Sequence, residues 1–193
     1  FAVVTLPYDK IDTSWSKDLS KEITEQFPFI VDVEIKVIPL DELKDRKGDQ
    51  IMIKTQSICV YGDNLSDTLP SLKPGVDTAQ HVKAIEREIS KTKEWLREEH
   101  TDEEIEQRCT WIMKRIIRFG FELVMERSQK YTRDLYPCYE EFSKYYPAKK
   151  EDMYKVLKLA IDPISDKTAI ENILDNFGDW LVKEIKTIWI PKR

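Results

Sequence analysis

The sequence has little that would support a zinc site or a disulfide-stapled fold. It contains three cysteines and two histidines in 193 residues, and the cysteines Cys59, Cys109 and Cys138 lie far apart. Without a CxxC pair, a zinc site is not expected, and neither is a framework of disulfides. Reduced thiols in a cytoplasmic protein are the expectation instead.

The chain also lacks a long apolar run, a secretory signal and an excess of basic residues. No stretch approaches the roughly 20 apolar residues of a membrane-spanning helix, so no membrane is expected as a partner. The 31 lysines and arginines are outnumbered by 36 acidic residues, for a formal net charge of −5. A global positive field is therefore missing, and nucleic acid is not an expected partner.

The first 38 residues alternate between strand and helix patterns. Phe1–Leu6 is an apolar, β-branched run that predicts a buried strand, and a strand at the first residue leads us to expect sequence upstream. Phe29–Ile38 alternates apolar with charged residues, which predicts a strand with one charged face. Between them, a helix is predicted by apolar residues at every fourth position, namely Trp15, Leu19, Ile23 and Phe27. This order predicts a βαβ or α+β unit.

The middle of the chain connects this unit to a helical half. Leu40–Thr55 predicts a short helix broken near Gly48, Ser57–Tyr61 a short strand, and Gly62–Gly75 a polar connection. The predicted limits are 1–62 for the first domain, 63–77 for the linker and 78–193 for the helical domain.

Helical spacing dominates the second half. Thr101 and Glu104 form a capping-box pattern before a long apolar-faced helix, and Asp166 is predicted to cap the last helix. Long helices with short connections predict an up-and-down bundle. The predicted fold class is therefore α+β, with a small mixed sheet and helices followed by an all-α bundle.

The stretch Val33–Pro39, which carries Glu34, supports a resemblance to a known family. It is similar to the strand that bears the third metal-site carboxylate in nucleotidyltransferases of the DNA polymerase β superfamily. Those enzymes place two acids, as D-x-D or D-x-E, before a core strand that resembles Phe1–Val4. The order of elements is kept over most of this chain, but the Gly-Ser turn with its acidic pair is absent.

The resemblance implies a role for Glu34 and a need for Mg²⁺. In the family, three acids hold two Mg²⁺ ions, and the third acid binds the metal or acts as general base. The resemblance assigns that role to Glu34, and Asp32 lies on the same predicted face two residues away. Because one carboxylate cannot hold two ions, the chain as written is expected to be inactive unless the pair is supplied. Alternatively, Asp32 and Glu34 are only the solvated face of an amphipathic strand.

Basic residues of the helical half form a second candidate site. Arg115 and Arg118 lie one turn apart, and Arg133 and Asp134 follow in a predicted loop or helix start. Guanidinium groups suit phosphate oxygens, so these arginines are candidates for the triphosphate and Asp134 for an acceptor group. The alternatives are a charged helix surface, with Glu122 paired to Arg118, and a capping role for Asp134.

The predicted function is Mg²⁺-dependent transfer of a nucleoside monophosphate, AMP from ATP, to a hydroxyl or amine. The acceptor is a small molecule or, as second choice, a protein, and a homodimer stays open. The alternative is a non-catalytic helical binding module, such as an antitoxin or a HEPN-like partner of a nucleotidyltransferase. A HEPN ribonuclease is disfavoured because His100 follows Arg97 too closely.

Overall fold

The computed structural model describes residues 2–5, 14–30, 33–80, 82 and 84–189. These residues are mostly helical and include a small two-stranded parallel sheet, which agrees with the predicted α+β composition. The chain divides into two compact units, Phe1–Gln50 and Ile51–Arg193. The domain limits predicted at residues 62 and 78 stay a prediction.

The first unit contains the predicted βαβ arrangement. Strand β1 (Ala2–Thr5) pairs in parallel with β2 (Lys36–Pro39), and helix α1 (Trp15–Gln26) lies between them in sequence. The register aligns Ala2 with Lys36 and Thr5 with Pro39. Parallel strands need such a crossover connection, so the helical spacing and the two apolar runs had together indicated this unit correctly.

The second strand is shorter than predicted. The prediction ran from Phe29 to Ile38, whereas the strand begins at Lys36 and the described residues 33–35 have no regular structure. Residues 27–30 form a turn after α1, closed by a bond from Ile30 N to Phe27 O of 2.8 Å. The alternation of apolar and charged residues overestimated the length of this strand. Only the residues opposite β1 have a described strand with which to pair.

Two short helices follow β2, as the predicted broken helix required. They are α2 (Leu40–Leu43) and α3 (Lys47–Gln56), so the break precedes Gly48. The side-chain amide of Gln50 closes the break by donating to Leu43 O at 2.8 Å and Lys44 O at 2.7 Å. The division between the two units falls inside α3.

The predicted strand at Ser57–Tyr61 is wrong. These residues have no regular secondary structure, and Ile58, Val60 and Tyr61 are 88%, 81% and 96% exposed. No described strand lies beside them to complete a ladder, and a lone extended segment has no partner for its backbone groups. The connection after them contains a one-turn helix, α4 (Leu65–Thr68).

The rest of the second unit is helical, as predicted. Its helices are α5 (Ile85–Leu96), α6 (Asp102–Ser128), α7 (Leu135–Tyr145), α8 (Lys150–Ile161), α9 (Lys167–Ile173) and α10 (Asp179–Trp189). A 3₁₀ turn at Pro147–Lys149 precedes α8, and a π-helical turn at Leu174–Gly178 joins α9 to α10. All six helices contribute to one apolar core. The up-and-down order of the bundle stays a prediction.

Helix α6 organises this core. Thirteen of its 27 residues are buried, including Ile112, Ile116 and Phe119. The predicted capping box starts it: Thr101 N donates to Glu104 Oε2 at 2.8 Å, and Glu104 N donates to Thr101 Oγ1 at 3.3 Å. Asp166 acts as a helix cap as predicted, with Oδ1 accepting from Ala169 N at 3.0 Å. The helix it starts is α9 rather than the last helix, because a π-helical turn at Leu174–Gly178 separates α9 from α10.

No helix within the described ranges has both the length and the apolar character needed to cross a membrane.

Candidate functional site

Glu34 lies in the irregular residues 33–35, directly before β2, and its side chain is exposed. Two residues further on, Lys36 donates from Nζ to both carboxylate oxygens of Asp49, at 2.7 and 2.8 Å. Asp32, the other acid predicted for this face, lies outside the described residues. Within the described ranges, no group of three or more histidine, cysteine or acidic side chains could hold a metal ion. No magnesium site is therefore placed among the described residues, and we assign no step to the metal.

Arg115 occupies a position different from that of the other two candidate arginines. Its Nη1 donates to both oxygens of Glu88 on α5, each at 3.1 Å. Its guanidinium carbon lies 4.3 Å from the centre of the Trp111 ring. Arg115 thus forms an ion pair between α5 and α6 and a cation–π contact within α6.

Arg118 and Arg133, in contrast, line one cleft of the second unit. We call it the Arg118/Arg133 cleft; its lining residues are Gln80, Arg118, Phe121, Glu122, Met125, Tyr131, Thr132 and Arg133. Arg118 and Glu122 lie one turn apart on α6, whereas residues 131–133 belong to the segment between α6 and α7. Helical spacing therefore supplies one wall of the cleft and a loop the other.

The loop wall is held by hydrogen bonds from three directions. Arg118 Nε donates to Arg133 O at 3.3 Å, and Arg133 N donates to Gln56 Oε1 at 3.0 Å. The Cys138 thiol donates to Thr132 O at 3.7 Å. At the start of the loop, Gln129 adopts the left-handed conformation, with φ of 53°, that ends α6. The backbone around Arg133 is thereby positioned without regular secondary structure.

The guanidinium of Arg133 is held by Gln80. Its Nη1 donates to Gln80 Oε1 at 2.6 Å and also lies 3.8 Å from Met52 Sδ. Arg133 is half-buried. Because an arginine side chain has donors only, the atom of Gln80 that faces it must be the amide oxygen.

Glu122 is a buried carboxylate with two backbone partners. Oε1 accepts from Gln80 N at 3.0 Å and Oε2 accepts from Val82 N at 2.9 Å. Hydrogen bonds to the charged form offset part of the cost of burying a carboxylate. Glu122 therefore fastens the segment that carries Gln80 to α6.

The side-chain nitrogen of Gln80 is a buried donor without a partner. Gln80 Nε2 makes no hydrogen bond in the part of the chain that the structure describes. The cavity inside the cleft has a volume of about 10 Å³, which is room for about one water-sized atom. The cavity therefore has room for one acceptor atom that could bind the amide nitrogen.

Cys138 lies beside the cleft, where its side chain is buried. Burial raises the pKa of its thiol to about 12, while the nearby charges of Arg118 and Arg133 act in the opposite direction. The thiol is therefore protonated at neutral pH, and a protonated thiol is unreactive. Asp134 occupies the N-cap position of α7 and is exposed, but its side chain makes no capping hydrogen bond.

Sequence reasoning missed Gln80 and Gln56. Both are neutral amides in or near polar connections, where glutamine carries no signal of its own. Arg118 and Arg133 were identified by residue type, yet nothing in their spacing distinguished them from Arg115.

No family model, no curated protein and no solved structure matches this chain. The functional interpretation therefore rests on the residues and their geometry.

Proposed function

We propose that this chain, once the acidic pair that its sequence lacks is supplied, takes part in the transfer of a nucleoside monophosphate, AMP from ATP, to a hydroxyl or amine of a small molecule or a protein. The observation that carries the proposal is the Arg118/Arg133 cleft, where two half-buried guanidinium groups and a buried amide donor line one cavity. The parallel βαβ unit followed by helices, in the order typical of the polymerase β superfamily, supports it as well.

The charge balance of the cleft favours an anion. Arg118 and Arg133 contribute two positive charges against the single negative charge of Glu122, and both oxygens of Glu122 already accept backbone hydrogen bonds. Guanidinium groups in a partly dehydrated site bind phosphate oxygens through short charge-assisted bonds. A polyphosphate supplies many such oxygens, so it fits this cleft better than a neutral ligand.

Glu34 is proposed as the base that takes up the proton of the acceptor group. Its side chain is exposed to solvent, and a carboxylate can accept a proton from a hydroxyl or amine. As that proton moves to Glu34, the acceptor oxygen or nitrogen bonds to the α-phosphorus, and the bond to pyrophosphate breaks. In the intact protein, Glu34→Gln should abolish transfer without changing the circular dichroism spectrum. A variant with most of its activity would remove Glu34 from this role.

Calorimetric titration of a non-hydrolysable ATP analogue with Mg²⁺ tests the cleft. We expect Arg133→Ala to weaken binding about ten- to a hundredfold, because a charge-assisted bond contributes roughly 1.5–3 kcal/mol. Arg127→Ala is the matched control, since its guanidinium lies on α6 4.8 Å from the centre of the Tyr145 ring. Unchanged affinity in Arg133→Ala and in Arg118→Ala would contradict the proposal.

A second candidate is a non-catalytic binding module. The observation that favours it is the exposed apolar segment that contains Ile58, Val60 and Tyr61. Large contiguous apolar surface commonly marks a protein–protein interface. If neither arginine variant changes the affinity for nucleotide, that result would favour the binding module over the nucleotidyltransferase.

A further inference from the structure

We propose that Gln80 is a third ligand-binding side chain of the Arg118/Arg133 cleft, whose amide nitrogen donates a hydrogen bond to an oxygen of a bound phosphate group. The identity of that phosphate as part of ATP rests on the function proposed above. The donor role of Gln80 rests on the cleft alone.

The orientation of the Gln80 amide follows from Arg133. Arg133 Nη1 lies 2.6 Å from Gln80 Oε1, and two donors cannot face each other at that distance. The amide cannot be turned over without breaking this bond. Its Nε2 therefore points away from Arg133, where it is buried and has no partner among the residues that the structure describes.

Among the described residues, no atom of the cleft accepts a hydrogen bond from this amide. Arg118 and Arg133 carry donors only, and each oxygen of Glu122 already accepts a backbone hydrogen bond. An atom at this position would meet donors from the amide and face two positive charges. Such surroundings suit an anionic oxygen, and a phosphate presents several.

The size of the cavity sets how much of the ligand enters. A volume of about 10 Å³ admits about one oxygen atom. One phosphate oxygen would occupy the position next to Gln80 Nε2, with the rest of the group at the cleft mouth. In the free protein, a single water molecule at the same position would satisfy the amide.

The neutral amide of Gln80 performs two tasks that can be separated by mutation. Its oxygen accepts from Arg133, and its nitrogen is buried without a described partner in a side chain that lines the cavity. In Gln80→Glu, one carboxylate oxygen would still accept from Arg133, but the other would present a negative charge where the donor was. This substitution therefore keeps an acceptor for Arg133 and replaces the proposed donor with a negative charge.

The experiment is calorimetric titration of inorganic tripolyphosphate, and separately of the non-hydrolysable ATP analogue with Mg²⁺, into the wild type and Gln80→Glu. We expect Gln80→Glu to weaken the binding of both by about tenfold or more, since a favourable donor is replaced by a repelling charge. The matched control is Gln129→Glu, which makes the same change of charge at an exposed position at the end of α6. Its affinity should stay within about twofold of the wild type.

Gln80→Met is a second variant that removes the amide without adding a buried charge. The thermal unfolding of each variant is measured as well, to show that it still folds. Weakened binding in both Gln80 variants, with cooperative unfolding retained, supports the proposal. Wild-type affinity in Gln80→Glu would overturn it and leave the amide with a buried water only. If Arg133→Ala still loses affinity in that case, the function proposed above survives; if it does not, both proposals fail.

Discussion

The two units of the chain contain helices of similar amphipathic pattern that differ sharply in burial. Helix α1 of the first unit, all of whose residues are described, has no buried residue, although Trp15, Leu19 and Ile23 recur at helical spacing. Helix α6 of the second unit buries thirteen residues. The comparison teaches that apolar spacing indicates a helix and its inward face, whereas burial depends on what other elements cover that face.

The same contrast separates the candidate residues of the first unit from those of the second. Glu34 lies in an irregular, exposed segment of the first unit. Arg118 and Glu122 project from the most buried helix of the second unit, and Arg133 is held by Gln80 and Gln56. Side chains on rigid elements keep their geometry more closely than those on loops. The Arg118/Arg133 cleft is therefore better defined than the surroundings of Glu34.

The largest expected effect tests the difference in burial. Phe142→Ala in the second unit should lower the free energy of unfolding by roughly 3–5 kcal/mol, because it empties a fully buried site next to Phe177 and Trp180. Phe29→Ala in the first unit removes an 81% exposed ring and should change stability by less than about 0.5 kcal/mol. Urea unfolding measures both. Similar losses in the two variants would contradict the contrast between the units.

An intermediate effect is expected from two buried carboxylates. Glu122→Gln should lower the free energy of unfolding by roughly 1–3 kcal/mol. Both carboxylate oxygens of Glu122 accept backbone N–H groups, and in the variant an amide nitrogen, which is a donor, would face one of them. Asp49→Asn in the first unit should cost at most about 1 kcal/mol, since its partner Lys36 is 42% exposed and can turn to water. The comparison uses chemical denaturation at pH 7. A larger loss for Asp49→Asn would reverse the predicted order.

The smallest effect is a pH dependence. Hydrogen bonds from Lys130 and Lys144 hold the pKa of Glu141 below its ordinary value of 4.5. A lowered folded-state pKa stabilises the protein above the unfolded-state value, and this contribution is lost as the pH falls through the folded-state pKa. In Glu141→Gln, the free energy of unfolding should therefore decline less steeply below about pH 4.5.

The matched control for that experiment lies in the first unit. Glu42 pairs with Arg46 on the surface, where both side chains are well solvated. Because this ion pair is exposed, Glu42→Gln should change the free energy of unfolding at pH 7 by less than about 0.5 kcal/mol. An unchanged slope in Glu141→Gln would show that the two lysines do not act on Glu141 in solution.

Much of the fold was predictable because it depends on local pattern. The spacing of apolar residues predicted α1, α6 and the later helices, and the apolar runs predicted β1 and part of β2. The capping box at Thr101 and the cap at Asp166 also follow from neighbouring residues. Each of these features needs only a few residues along the chain to specify it.

Strand limits were predicted poorly because they depend on a partner. The alternation of Phe29–Ile38 was correct as a pattern, yet only Lys36–Pro39 lies opposite β1. Ser57–Tyr61 has the composition of a strand but no described strand beside it. A strand exists only where a second segment accepts its hydrogen bonds, and sequence alone does not locate that segment.

The sequence by itself determined the helical half, the βαβ order and the residue types that could bind phosphate. Only the tertiary structure decided that Arg118 and Arg133 share a cleft while Arg115 pairs with Glu88, and that Gln80, 53 positions before Arg133, meets its guanidinium. The physical reason is that helix-forming interactions act between residues three or four apart. A binding site, in contrast, needs contacts between distant segments, and those depend on how the whole core packs.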